Sequence, residues 1–273
     1  MAAPDAQKPR AQRASQAAMP PAAVAQSADM RRRVATTLVL AAFALVAIGM
    51  STFAWFSIAD SAKARQLAIE ANADGSLRFD LDAHDAYADY VTTLGFDQIT
   101  SRITAEQGID VDASQLVPVT SSDGQSFYLE NGSEASAATG AYLEFTLHFI
   151  SLDDSVVRLT GQAGTDGAAG TQFLSTSSDA LPLAMRMSFT ADGQTWVYDP
   201  NASVSATANG QVTTFGLDTA AATEASNMFS LAAEQDKSVV VRIWLEGTDA
   251  NCTNVVKGAD YSVSMRFQGV ETE

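Results

Sequence analysis

From Ala59 onward the chain alternates apolar and polar residues with period two. In Tyr142 to Phe149, Leu143, Phe145, Leu147 and Phe149 share one face while Tyr142, Glu144, Thr146 and His148 share the other, the pattern of a half-buried strand. The period recurs at Val239, Val241, Ile243 and Leu245, at Tyr261, Val263, Met265 and Phe267, and at Met185, Met187 and Phe189. Asp192-Gly193 separates Phe189 from Trp196, and Asp74-Gly75 separates Leu67 and Ile69 from Leu77, Phe79 and Leu81; both dipeptides predict hairpin turns. With shorter runs at Phe127 to Leu129, Val156 to Leu159 and Val212 to Phe215, about ten strands are expected. The fold class that follows is all-β, an antiparallel two-layer sandwich over residues 59–273. Short helices are expected within Asp85 to Gln107, where Gly95 interrupts, and within Ala220 to Glu234.

A different pattern precedes this region. Val34 to Phe56 is 23 residues without a formal charge, long enough as a helix to cross a hydrocarbon core of ~30 Å. Residues 1–33 hold four of the seven prolines and no hydrophobic period, as expected of a disordered tail. Charge is divided along the same boundary. The tail carries six basic residues and two acids, a net of +4, and the region after Ile58 carries ten basic residues and thirty acids, a net of −20. Arg31, Arg32 and Arg33 abut the apolar run, so the positive-inside rule places the tail in the cytoplasm and the acidic region outside. Trp55 and Phe56 then fall at the outer interface, where aromatic rings are enriched. Residues 34–58 thus read as a transmembrane helix or uncleaved signal anchor. The other reading is a signal cleaved near Ala59 or Ala64, which would release the domain, and the length of the run and of its leader favours the anchor.

Composition narrows function by exclusion. A net charge of −16 repels a phosphate backbone, so no nucleic-acid partner is expected. One cysteine, Cys252, gives neither a disulfide scaffold nor a Cys-rich zinc module, and only His84 and His148 are present to activate it. No His-Glu-x-x-His motif occurs, and the glycine-rich run Gly161 to Gly170 lacks the Lys-Ser/Thr of a phosphate loop. No catalytic or cofactor-binding residue is therefore assigned. Asp80, Asp82, Asp153, Asp154, Glu246 and Asp249 are the candidates for a calcium site, although Asp80 to Asp85 lacks the glycine of an ordered calcium loop and a solvated acidic surface is the ordinary explanation. Asn131, Asn201 and Asn251 stand in glycosylation triplets.

Several stretches carry a resemblance. Ser51 to Ser57, Leu116 to Gly124, Tyr142 to Phe145 and Val241 to Cys252 are similar to segments of the camelysin/TasA-type surface and biofilm-matrix proteins of Gram-positive bacteria. The resemblance implies a jelly-roll-like sandwich, export, and assembly into fibres or a surface layer. The metalloprotease activity associated with camelysin is not carried over, because no metal-ligand set is present. Two functions from different classes follow as expectations. One is a non-enzymatic surface or biofilm-matrix component that self-associates or joins other matrix proteins. The other is a surface-anchored binding module for glycan, host protein or calcium, with Trp196 or Trp244 as a contact.

Overall fold

The computed structural model describes residues 62–71, 76–111, 115–165 and 167–272. The tail, the apolar segment with Arg31 to Arg33, Trp55 and Phe56, and the Asp74-Gly75 turn all lie outside them. Among the described residues no helix is long and apolar enough to cross a membrane.

Among the described residues, fifteen strands form two sheets packed as a β-sandwich. They are β1 (Ala62–Ala71), β2 (Arg78–Asp80), β3 (Thr93–Leu94), β4 (Gln115–Leu116), β5 (Pro118–Val119), β6 (Leu143–Ile150), β7 (Ser155–Leu159), β8 (Gln172–Leu174), β9 (Met185–Ala191), β10 (Gln194–Tyr198), β11 (Thr207–Asn209), β12 (Val212–Phe215), β13 (Asn227–Leu231), β14 (Lys237–Glu246) and β15 (Asp260–Glu271). The first sheet runs β13-β7-β15-β1-β3, with β4 also on β1 and β8 also on β15. The second runs β11-β12-β10-β9-β14-β6-β2, with β5 on β14.

The period-two segments point the way their sequence demands. Leu143, Phe145, Leu147 and Phe149 are buried, as are Val239, Val241, Ile243 and Leu245 on the neighbouring strand. Phe267 of the first sheet meets Phe79, Phe149 and Phe189 of the second at ring separations of 6.2, 5.1 and 5.6 Å, all edge-on. Edge-to-face contact is the arrangement that aromatic quadrupoles favour. Phe229 adds a second inter-sheet contact, to Phe149 at 5.2 Å.

Asp192-Gly193 makes the expected hairpin between β9 and β10, with φ of 50° and 74°, as a type I′ turn requires. The Asp74-Gly75 hairpin does not form as expected, because the strands flanking it belong to different sheets. β1 pairs in parallel with β15, Leu67 opposite Val263 and Ile69 opposite Met265, while β2 pairs with β6. The antiparallel expectation also gives way at β10 with β12 and at β5 with β14, both parallel. Of the two helix expectations, the first is met over part of its range and the second needs correction. Within Asp85 to Gln107 the α-helix begins only at Phe96: Gly95 is its N-cap, the Gln98 side chain accepts from the Gly95 amide at 3.0 Å, and Ile99 and Ile103 face the core one turn apart. Ala220 to Glu234 holds one 3-10 turn and then β13, because Met228, Phe229 and Leu231 have an apolar sheet to cover.

A smaller cluster lies on the far side of the second sheet. Trp244 is buried there with Val119, Phe127, Ala141 and Val197, and Phe127 stacks on Tyr142 at 4.1 Å. The segment from Val117 to Tyr142 is the cover. Gly124 lets it approach: φ is +66°, and a Cβ there would come within 2.9 Å of the Ser188 Cβ. The Ser188 hydroxyl donates to the Gly124 carbonyl at 2.6 Å.

Candidate functional site

Register brings three loops together at one end of the sandwich. Met185 and Arg186 at the start of β9 lie opposite Leu245 and Trp244 near the end of β14, and β10 runs back alongside β9 to the same end. The helical turn Leu181–Ala184, the loop after Tyr198 and the loop after Glu246 therefore share this end. Arg186, almost fully buried, joins them. Its Nη1 donates to the carbonyls of Leu183 at 2.7 Å and Met185 at 2.8 Å, and its Nη2 reaches Asp199 Oδ1 at 3.1 Å and also bonds Asp249 Oδ2. Asn201 Nδ2 donates to the Leu183 carbonyl at 2.8 Å and to Asp249 Oδ2 at 3.0 Å. A buried cation is here set between two carboxylates, with its Nη1 protons on carbonyls, which compensates its desolvation.

Beside this cluster is a cleft of about 350 Å³, lined by Ser121, Asp199, Thr214, Glu246 and Thr248 among others. Glu246 accepts from the Trp244 indole at 3.0 Å, from the Thr248 amide at 3.1 Å and hydroxyl at 2.5 Å, and from the Ser121 amide at 3.4 Å. At Asp249, burial works against ionisation. The Asn251 amide and side chain, at 2.7 and 2.9 Å, together with Arg186, nevertheless hold its carboxyl below the usual range. Both carboxylates have protein donors on both oxygens, so a cation would have to displace them. Chemically the cluster ties loops together.

The remaining sequence candidates are dispersed. Asp82 pairs with Arg102 at 2.6 Å, which lowers its carboxyl. Asp80 accepts from the Leu81 amide at 2.7 Å and faces His84 Nε2 at 3.6 Å. Asp153 is exposed, and Asp154 accepts from the Ala233 amide at 2.8 Å. Among the described residues no three His, Cys, Asp or Glu side chains converge as a metal site would need. Cys252 is buried, and burial followed by Asp249 and Glu246 pushes its thiol up to about 12. His148 instead pairs with Asp236 at 2.9 Å, and Asp236 also accepts from the Tyr90 hydroxyl at 2.8 Å. Trp244 offers no exposed ring, and Trp196 is half-buried, 6.0 Å from Phe229. The side-chain amides of Asn201 and Asn251 are engaged with Asp249, whereas exposed Asn131 bonds only its own turn through Ser133.

No family model, curated protein or solved structure matches the chain.

Arg186 was not legible beside Asp249, since the pairing of β9 with β14 is what unites them, while Asp199 and Asn201 reach it from the end of β10, its hairpin partner. Glu246 and Asp249 were visible as acids, but the donors that occupy them come from elsewhere in the chain.

Proposed function

We propose that the chain is a non-enzymatic cell-surface protein, a structural or matrix-like component whose jelly-roll-like sandwich is held outside the cell by a single N-terminal transmembrane helix. The observation that carries this reading is the order of three features: Arg31 to Arg33, then 23 uncharged residues, then a strongly acidic region that folds as a two-sheet β-sandwich. The resemblance to camelysin/TasA-type proteins supports the same assignment. So does the character of the best-built polar cluster, in which Arg186 and its carboxylates join loops. Placement in the plasma membrane follows from the positive-inside rule, with self-association or matrix proteins as the partners.

The test is protease added to intact cells. The sandwich is digested and the tail is spared; protection of the whole chain would refute the topology. Replacing Arg31, Arg32 and Arg33 with Glu weakens the orientation preference and leaves part of the population protected.

A further inference from the structure

Three strands of the first sheet carry a row of polar side chains on its outer face. Arg158 of β7 lies directly opposite Asn227 of β13 on one side and Gln268 of β15 on the other. Val157 and Leu159 are buried in the core, so Arg158 between them points outward. Residues directly opposite in an antiparallel pair share a face, with Cβ atoms about 4.5–5.5 Å apart. Val156 and Val270, both half-buried, form the next pair along this face.

Arg158 stands apart from the other arginines. The region after Ile58 holds thirty acids and ten basic residues, so carboxylates are plentiful, and Arg65, Arg102, Arg186, Arg242 and Arg266 each pair with one. Among the described residues, the Arg158 guanidinium has neither an ion pair nor a hydrogen bond, although the residue is half-buried and its Nε is closed off from solvent. Burial pulls the guanidinium below its ordinary value, and Glu224, in the 3-10 turn that precedes β13, opposes this only at a distance. Across the strand pair, Asn227 Oδ1 is likewise closed off from solvent and has no donor. Orphaned groups of this kind call for a partner. One water between them would satisfy Nε and Oδ1, but it would leave the partly buried charge without a counter-ion.

The two orphaned atoms specify the chemistry of a ligand. The guanidinium fork matches a planar carboxylate. Asn227 Oδ1 is an acceptor, so the ligand atom that meets it must donate, as a hydroxyl does and a second anionic oxygen does not. Gln268 adds an amide, and Val156 with Val270 offers an apolar flank for the C–H face of a sugar ring. We propose that Arg158, Asn227 and Gln268 form a binding site for a hydroxycarboxylate of the uronic-acid class. The site lies wholly within the sandwich, so it stands or falls separately from the anchor.

The experiment titrates galacturonate, galactose and acetate into the full chain in detergent micelles, read by isothermal titration calorimetry with thermal melts alongside. Galacturonate is expected to bind about tenfold or more tightly than galactose, which lacks the charge, and than acetate, which lacks the hydroxyl. Polygalacturonate separates the sources: its binding points to a glycan chain and binding of the monomer alone to a free hydroxy acid, and either upholds the site. Arg158→Met should weaken galacturonate binding about tenfold or more, while loss of an unpaired, partly buried charge leaves the melting temperature unchanged or higher. If that variant fails to fold, Asn227→Asp decides, because it sets a carboxylate opposite the arginine and should abolish binding in a folded chain. No binding of galacturonate to the native chain, equal binding of acetate or galactose, or binding that survives these substitutions overturns the site.

Discussion

Proline at Ala68 tests whether β1 belongs to its own domain or is free to leave it. β1 lies between β15 on one side and the short β3 and β4 on the other, with Ala68 opposite Ser264. The Ala71 amide donates to the Thr92 carbonyl on the β3 side at 2.8 Å, and amides alternate along a strand, so the Ala68 amide faces β15. Ala68→Pro removes that donor from an interior strand, leaves a β15 carbonyl unpaired and forces the ring against the neighbouring backbone. The combined cost is about 3 kcal/mol or more. In a domain of this size that corresponds to a fall of about 6–12 °C in melting temperature. Ala68→Ser keeps the amide at a half-buried position on the outer face and should shift the melt by less than about 2 °C. Thermal unfolding of the domain from residue 59, followed by circular dichroism, reads both variants. An unchanged melt for Ala68→Pro would refute the placement of β1. If filaments were lost at the same time, the strand would be one that is donated to a neighbouring copy.

Phe145→Ala and Ile243→Ala should each destabilise by about 2–5 kcal/mol in urea titrations, while Thr146→Ala on the opposite face of the same strand costs much less; equal costs would mean the faces are misassigned. Arg186→Met takes the cation from between Asp199 and Asp249 and should cost about 3–5 kcal/mol, whereas Asp249→Asn keeps one acceptor oxygen and leaves Arg186 paired with Asp199, so it costs less, which chemical denaturation distinguishes. The Ser177 hydroxyl first, then Thr176 against the opposing effect of burial, hold the Asp260 carboxyl down to about 2 from an ordinary 3.8. A carboxyl lowered by folding stabilises the fold above its unfolded value and loses that contribution as protons bind. Melting temperature should therefore fall as pH drops from about 4 towards 2, and Asp260→Asn should flatten that part of the profile.

The strands that bury one face were legible because alternation is imposed locally by burial, as along β6, β14 and β15. The Asp192-Gly193 hairpin was legible because two residues set its turn. Leu67 and Leu77 looked like facing members of another hairpin, but the alternation of each is equally satisfied in either sheet. Pairing β1 with a strand nearly two hundred residues away leaves no local trace. β13 was misread because helix-compatible alanines and glutamate precede Met228 and Phe229, and tertiary burial overrode propensity. Of the acids on the clamp only Asp249 stood out singly, whereas Asp199 and Arg186 did not, since the three meet only through sheet register.

The central claim is that residues 34–56 stay on the mature protein and hold the sandwich at the cell surface. Determining the N-terminal residue of the chain recovered from cells tests it most directly. The account predicts a cell-associated protein whose N-terminus lies upstream of Val34. A mature chain beginning at Asp60 or Arg65, recovered from the medium, would contradict it.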